Sequence, residues 1–440
     1  MSLTARARFR FMKDMGAPAL MAGSRAFMRA RGRRRAPGPD TAPPLACGRR
    51  LREIMTRHYF LSRYAKGAAP VAWVTSGAPV ELLRAFGFYT VYPENHGALC
   101  GAKGVGARLC SVAERNGYSQ DLCSYARIDL GVALSGNSPA GKLPRPDLLF
   151  ASNNICQTVA YWYTVLAEQW GVPFLLFDTP FNHAGGPSGA DIAYMTSQLE
   201  DMLPTLERVS GCKFRMKALE AVLDLSKETA ETWGAVLGTM KAVPSPMTIF
   251  EAFVHLAPVV SLRGLPVALE YYRVLFEELN QRVARGQGAL REERKRLMWD
   301  NIAVWYKVRD FSTLFAERGM SFVTATYTNA WAETASDMDA GRPLESIART
   351  YSRVILNNSL GDRLRLTEQL IRDYRVEGLV IHSARSCKPY SVGQYDLKRL
   401  LLERLGVPSV VIEADIADER AYSEQQTRTR LEAFFEALES

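Results

Sequence analysis

Four side chains stand where a thiol, a hydroxyl or a carboxyl could do chemistry: Ser76, Glu94, Cys156 and Cys387. Cys156 and Cys387 close two stretches with one grammar. Each reads strand, Ser-x-x-x-Cys, helix, Gly-Val-Pro, strand, acid: Ser152–Cys156 before Gly171-Val172-Pro173, and Ser383–Cys387 before Gly406-Val407-Pro408. A thiol at a strand-to-helix turn faces free N–H groups and the positive end of the helix, which favour a thiolate or a bound anion. A single such cysteine is more commonly a buried small hydrophobe. Two at equivalent places of a repeat point to a shared role, because facing domains could hold one metal centre between both thiolates. Ser76 and Glu94 end consecutive predicted strands. Ligands bind outside the carboxyl ends of open parallel sheets, so both residues could face one pocket. Their plainer readings are a capping Ser before Pro79 and a solvated turn Glu. His96, beside Glu94 on a predicted loop, could assist proton transfer or be a turn histidine.

The other cysteines and motifs narrow the chemistry. Cys100 and Cys123 lie in motif-like segments, whereas Cys47, Cys110 and Cys212 have no chemical neighbours and read as structural. No Cys-x-x-Cys occurs, so zinc ribbons, ferredoxin-type runs and thioredoxin motifs are excluded and any cluster must use distant cysteines. Gly104-Val105-Gly106-Ala107-Arg108-Leu109 opens like a dinucleotide fingerprint but ends in Leu, with no clear strand before it. A G-x-x-x-x-G-K-[ST] loop, a G-x-S-x-G elbow and H-E-x-x-H are all missing from the sequence.

The elements that must position these residues follow from apolar runs and turn signals. Strands are predicted at Val71–Thr75, Phe88–Tyr92, Leu148–Ala151, Phe174–Asp178, Gly378–His382 and Ser409–Glu413, with further candidates at Leu297–Trp299 and Phe322–Tyr327. Helices are predicted at Val80–Phe86, 157–170 and 393–405, and residues 195–290 show helical periodicity. Strand–helix–strand units imply parallel strands. The fold class is α/β: two Rossmann-like, flavodoxin-like parallel-sheet domains related by an internal repeat and joined by a helical segment. The expected boundaries are a flexible basic, Pro-rich arm over 1–50, a first α/β domain over 51–200, helices over 201–290 and a second α/β domain over 291–440.

Composition removes other classes. The chain has 440 residues, 47% of them hydrophobic and 23% charged, which is globular rather than disordered or collagen-like. Its net charge of +9 suggests nucleic acid or a membrane surface. Residues 1–35, however, hold nine Arg and one Lys against one Asp, and the rest is neutral, with 45 basic and 45 acidic groups. The arm has the flavour of a transit peptide or of a translated upstream extension, Met12, Met15 and Met28 being alternative starts. No nucleic-acid partner is expected. No run approaches a membrane span. Seven scattered cysteines and no secretory signal point to free thiols in a reducing cytoplasm.

Taken together, the motifs carry a family resemblance. Tyr92-Pro-Glu-Asn-His96, Asp121-Leu-Cys-Ser-Tyr-Ala-Arg127, Ser152-Asn-Asn-Ile-Cys156, Phe177-Asp-Thr-Pro-Phe181 and Ser383-Ala-Arg-Ser-Cys387-Lys-Pro389 with Gly393-Gln394 occur in one order. Over residues 65–440 the sequence resembles the 2-hydroxyacyl-CoA dehydratase and benzoyl-CoA reductase family. The resemblance implies a [4Fe–4S] cluster held by Cys123, Cys156 and Cys387, with Cys100 in reserve. It implies an unlike second subunit of the same family and an ATP-hydrolysing iron–sulfur activator. That activator would deliver a low-potential electron by which an acyl-CoA thioester is reduced to a ketyl-type radical. Glu94, Ser76 and His96 are then the candidate catalytic residues, Glu94 as acid or base and Ser76 hydrogen-bonded to the substrate or to a cluster ligand. The length, the Arg-rich composition and Tyr161-Trp162-Tyr163 favour ring reduction of benzoyl-CoA; the alternative is an (R)-2-hydroxyacyl-CoA dehydratase subunit, towards which the Ser76/Glu94 pair leans. Two other classes share some of these features: a cluster-bearing electron-transfer or maturation protein without substrate chemistry, and a metal-free two-lobed binding protein.

Overall fold

Runs such as Val-Ala-Trp-Val at 71–74 and Met-Ser-Phe-Val-Thr-Ala at 320–325 have every residue buried. Strands covered on both faces read as continuous apolar segments, which is the signature of parallel sheets between helices. The computed structural model describes residues 2–30, 40–136, 138–183 and 185–439. Its strands form two four-stranded parallel sheets. The first contains β1 (Val71–Val74), β2 (Tyr89–Val91), β3 (Leu148–Ser152) and β4 (Phe174–Phe177), in the order β2-β1-β3-β4. The second contains β5 (Lys295–Asp300), β6 (Met320–Ala325), β7 (Gly378–Ala384) and β8 (Ser409–Ala414), in the order β6-β5-β7-β8. In each sheet the chain leaves the first strand to one side and later returns to its other side. The gaps between β1 and β3 and between β5 and β7 are therefore topological switch points, where open α/β sheets bind ligands.

The strand predictions fall within a few residues of the observed ends, and the helix Gln157–Trp170 has the expected bounds. The segment after β2 differs. Residues 93–102, read as a loop, form a helix with Pro93 at its first position, where the missing N–H costs nothing. Between the sheets run long helices, among them Gly189–Ser210, Met216–Gly238 and Pro266–Ala284. One apolar core joins Val74 and Phe150 of the first sheet, Met298 and Phe322 of the second, and Trp233 and Leu275 of these helices.

The basic arm also differs from expectation. Residues 3–30 are helical, with one π-helical turn over Met12–Gly16, and pack on the helix Gly48–Ala65. Ala17 and Met21 are buried, Phe9 packs edge-on to Tyr89, and Arg25 pairs with Glu53 at 3.0 Å. A sparse apolar stripe thus docks a segment whose Arg content hid it. The Arg33–Arg35 run and Pro37 and Pro39 lie outside the described residues. Among the described residues no helix is long and apolar enough to cross a membrane.

The two halves are tied where the site lies. Arg127, almost fully buried, reaches Glu114 at 2.7 Å and Asp418 at 2.9 Å. Gly106 sits against the carbonyl of Ala417 so closely that any Cβ would overlap it, which accounts for the second glycine of the fingerprint-like run.

Candidate active site

The residues at the carboxyl ends of both sheets enclose a pocket with about 950 Å³ of empty space, including its mouth. Ser76 follows β1, Cys156 follows β3, and Glu94 lies in the helix after β2. From the second sheet come Ile302 after β5, Cys387 after β7 and Ile416 after β8. Cys156 and Cys387 thus occupy matching places at the two switch points.

Cys123 joins them on the pocket wall. Each of the three precedes a helix as its N-cap: Cys123 before Ser124–Ser135, Cys156 before Gln157–Trp170 and Cys387 before Lys388–Ser391. All three are half-buried, whereas Cys47, Cys100 and Cys110 are buried and Cys212 is exposed. Burial raises the Cys123 thiol well above its ordinary range, and its proximity to Cys387 and Cys156 raises it further. Burial pushes Cys156 up to about 11 and Cys387 up to about 12. The amides of Tyr125, of Val159 and Thr158, and of Tyr390 pull the other way, as helix N-termini should. Without a cation the three are neutral thiols. A coordinating metal reverses this balance by deprotonating them outright.

Sequence motifs turn out to be the braces of this site. Ser386 accepts from the Ser124 N–H at 3.1 Å and donates to Asp415, stitching the Cys387 loop to the Cys123 helix. Asn154 donates to the carbonyls of Gly77 at 2.9 Å and Tyr351 at 2.8 Å, fixing the turn that carries Cys156. Asn153 accepts from the Thr179 N–H at 2.7 Å, so the Phe177–Phe181 motif holds the same turn. None of these roles was visible in the sequence; the adjacency of Ser386 to Cys387 and of Ser124 to Cys123 was the available signal.

The Ser76–Glu94 pair is formed. The Ser76 hydroxyl donates to Glu94 Oε1 at 2.9 Å and its backbone N–H to Oε2. Ser76 therefore commits its hydroxyl proton to Glu94, while its oxygen keeps acceptor capacity for a second partner. Burial lifts the Glu94 carboxyl to about 7, against the lowering effect of both Ser76 bonds. His96 does not share this site. Two residues on along a helix is a rotation of about 200°, so His96 turns away from the pocket. It is fully buried, bonded to Ser138, and held neutral by burial at about 4. Cys100, one turn further, lies 3.7 Å from His96 on that far face and does not line the pocket. Of Tyr161-Trp162-Tyr163, Trp162 alone lines the pocket, while Tyr161 is 72% exposed and Tyr163 is core.

Arg263 and Tyr351 reach the same pocket from distant parts of the chain. Arg263 donates to Glu81 at 2.8 Å, and Tyr351 donates to the other Glu81 oxygen at 2.7 Å. Among the described residues, no group of three or more His, Cys, Asp or Glu stands close enough to hold one metal ion. Thiols spread around one pocket suit a cluster, in which each thiolate takes its own iron.

The profile of the family described as "2-hydroxyglutaryl-CoA dehydratase, D-component" matches residues 75–438. The chain is 34% identical over 390 residues to the (R)-phenyllactyl-CoA dehydratase alpha subunit of Clostridium sporogenes, covering 88% of this chain and 94% of that one. It is 33% identical over 392 residues to the (R)-2-hydroxyisocaproyl-CoA dehydratase alpha subunit of Clostridioides difficile, covering 88% and 95%. It is 30% identical over 386 residues to a benzoyl-CoA reductase subunit of Thauera aromatica, covering 85% and 89%.

Proposed function

The chain belongs to the 2-hydroxyglutaryl-CoA dehydratase D-component family, an enzyme family that includes 2-hydroxyacyl-CoA dehydratase and benzoyl-CoA reductase subunits, and from that premise we propose that it is the alpha-type subunit of a 2-hydroxyacyl-CoA dehydratase. This revises the expectation of ring reduction. The phenyllactyl-CoA and 2-hydroxyisocaproyl-CoA dehydratase subunits, at 34% and 33% identity, stand above the reductase subunit at 30%, and the aromatic segment that favoured the reductase puts one of its three rings in the pocket. The observation that carries the proposal is the convergence of Cys123, Cys156 and Cys387 with the Ser76–Glu94 pair on one pocket.

Cys123, Cys156 and Cys387 would hold a [4Fe–4S] cluster, which supplies low-potential one-electron chemistry to an acyl-CoA thioester. The chain's own residues do the rest. The three helix N-termini present amides towards the sulfurs, a lever on cluster potential. The pocket's apolar walls exclude water from the reacting thioester. Ser76 aims the Glu94 carboxyl, whose pKa near neutrality suits it to give a proton to a leaving hydroxyl or to take one from carbon. Loss of water from a 2-hydroxyacyl thioester gives the enoyl thioester with no net oxidation or reduction. An unlike second subunit and an ATP-hydrolysing activator complete the system, in a reducing cytoplasm where the cysteines stay free. The identical strand order of the two sheets supports reading them as an internal repeat of a Rossmann-like unit.

Anaerobic co-purification with the partner subunit tests the proposal. About four irons per chain are expected, falling in Cys156→Ala and Cys387→Ala, with conversion of a 2-hydroxyacyl-CoA to its enoyl-CoA. A folded, colourless, iron-free protein would overturn it, as would turnover of benzoyl-CoA alone.

A further inference from the structure

We infer that Tyr327 is a further catalytic residue, whose hydroxyl donates to the thioester carbonyl oxygen of the bound substrate. The inference rests on the proposed dehydratase function and adds a group to its chemistry. Glu94 is the second residue of the helix after β2, and Tyr327 is the second residue of the helix Thr326–Asn329 after β6. β2 flanks β1 as β6 flanks β5, so the two side chains hold matching places in the two sheets, as Cys156 and Cys387 do. Both line the pocket. The Tyr327 phenol feels the charge of Glu94 from the first sheet and of Cys387 from the second, which puts its hydroxyl in range of both. Tyr125 and Tyr390, the pocket phenols beside Cys123 and Cys387, feel Tyr327 in turn.

The hydroxyl is free to serve a ligand. Two neighbouring hydroxyls are committed: Ser76 gives its proton to Glu94, and Tyr351 gives its own to Glu81. Tyr327 is half-buried, and its hydroxyl has no hydrogen-bond partner among the described residues, yet it is not sealed in the core. A hydroxyl that has left bulk water and opens on a pocket recovers its lost hydrogen bond from a ligand or a bound water. The ring is held in place. It packs against Phe253, with centroids 6.4 Å apart. Its turn is clamped by Thr326, which donates to Asp300 at 2.9 Å and accepts from the Asn301 N–H at 3.1 Å. Asn301, at a φ of 84°, donates to the His382 carbonyl at 2.7 Å, so the carboxyl ends of β5, β6 and β7 are tied together.

The division of labour follows. Burial keeps the Tyr327 phenol protonated, so it is a donor and not a base. Glu94, near neutrality, is the group that moves a proton. The thioester carbonyl oxygen gains negative charge when the thioester is reduced to the ketyl-type radical. A fixed donor at that oxygen is worth more in the charged state than in the bound thioester, and such a difference raises kcat. Tyr327 supplies a hydrogen bond alone; no atom or electron passes to or from it.

The test is calorimetric titration of the anaerobically purified complex, without activator so that no turnover occurs. The probes are CoA, 2-hydroxyisocaproyl-CoA, isocaproyl-CoA, which lacks the hydroxyl, and the hydroxylated thioether in which a methylene replaces the carbonyl. Tyr327→Phe keeps the ring and should keep the wild-type iron content. It should weaken both thioesters about 3- to 10-fold and leave the thioether within about twofold, since that probe has no carbonyl for the donor. In the activated complex its kcat should fall about 100-fold. A fluorotyrosine at the same position, a more acidic phenol of nearly the same shape, should instead tighten both thioesters and not the thioether. Equal changes for all three acyl and alkyl probes, a loss that follows the hydroxyl instead of the carbonyl, or an unchanged kcat overturns the inference while leaving the dehydratase reading intact. If neither thioester binds the wild-type complex more tightly than CoA, the dehydratase reading itself falls.

Discussion

Replacing Ser76 by Ala removes one of the two bonds that hold the Glu94 carboxylate and leaves the backbone N–H in place. Both bonds favour the ionised form, and burial opposes it, leaving Glu94 near 7. A hydroxyl donated to a carboxylate contributes about 1.5–3 kcal/mol, and about 1.4 kcal/mol corresponds to one pKa unit. Ser76→Ala should therefore move the Glu94 limb of the pH–rate profile upward by about one to two pH units. If the ionised carboxylate is the working form, kcat/KM at pH 7 falls about 5- to 50-fold and recovers in alkali. If the protonated acid works, activity instead extends to higher pH. A cluster at Cys156 adds the same field to both proteins, so the difference between them survives its presence. The assay is kcat/KM of the activated complex across pH 5.5–9.5, with Ser76→Thr as the variant that keeps the hydroxyl and the wild-type profile. A loss of rate that is uniform with pH, or a limb that stays put, refutes the argument.

Other outcomes follow from the same geometry. Asp129 is fully buried and its carboxyl is pushed up to about 8, so its folded pKa lies above its unfolded one. Stability from this group is greatest below about pH 4 and falls as pH rises towards 8. Asp129→Asn keeps an acceptor for Trp162 Nε1 and should raise the urea midpoint more at pH 8 than at pH 5. Arg127→Ala leaves Asp415 without its cation and Asp418 with Arg420 alone, and should lower unfolding free energy by about 1.5–3 kcal/mol in denaturant titrations. Cys123→Ala should lose most of the iron, whereas Cys100→Ala and His96→Ala, on the far face of their helix, should keep it in metal analysis. A chain starting at residue 45 should keep its iron yet melt at a lower temperature, because Ala17 and Met21 no longer cover the helix Gly48–Ala65.

Much of the scaffold was legible because parallel strands are apolar on both faces. Val71–Val74, Leu148–Ser152 and Gly378–Ala384 stand out as short unbroken runs closed by turn residues. The matching spelling around Cys156 and Cys387 gave their equivalence, and strand-end reasoning brought Ser76 and Glu94 to one pocket. The helix Pro93–Ala102 was missed because His, two Gly and a Cys blur its apolar period. The arm over residues 3–30 was missed because its buried stripe is thin and its charge is conspicuous.

The sequence by itself determined which residue types could meet and on which kind of sheet, since apolar runs and turn chemistry are local properties. Only the tertiary structure decided their facing. A helix rotates by about 100° per residue, so Glu94 enters the pocket while His96 and Cys100 leave it. Cys123 joins the other thiols through Ser386, Asp415 and Arg127, contacts spanning hundreds of residues. Ser76 turns its hydroxyl to one oxygen of Glu94 while its backbone N–H holds the other, a pairing across 18 residues that only the packing of the strand ends sets. Such choices depend on what packs opposite, and nothing within a few residues of each position records it.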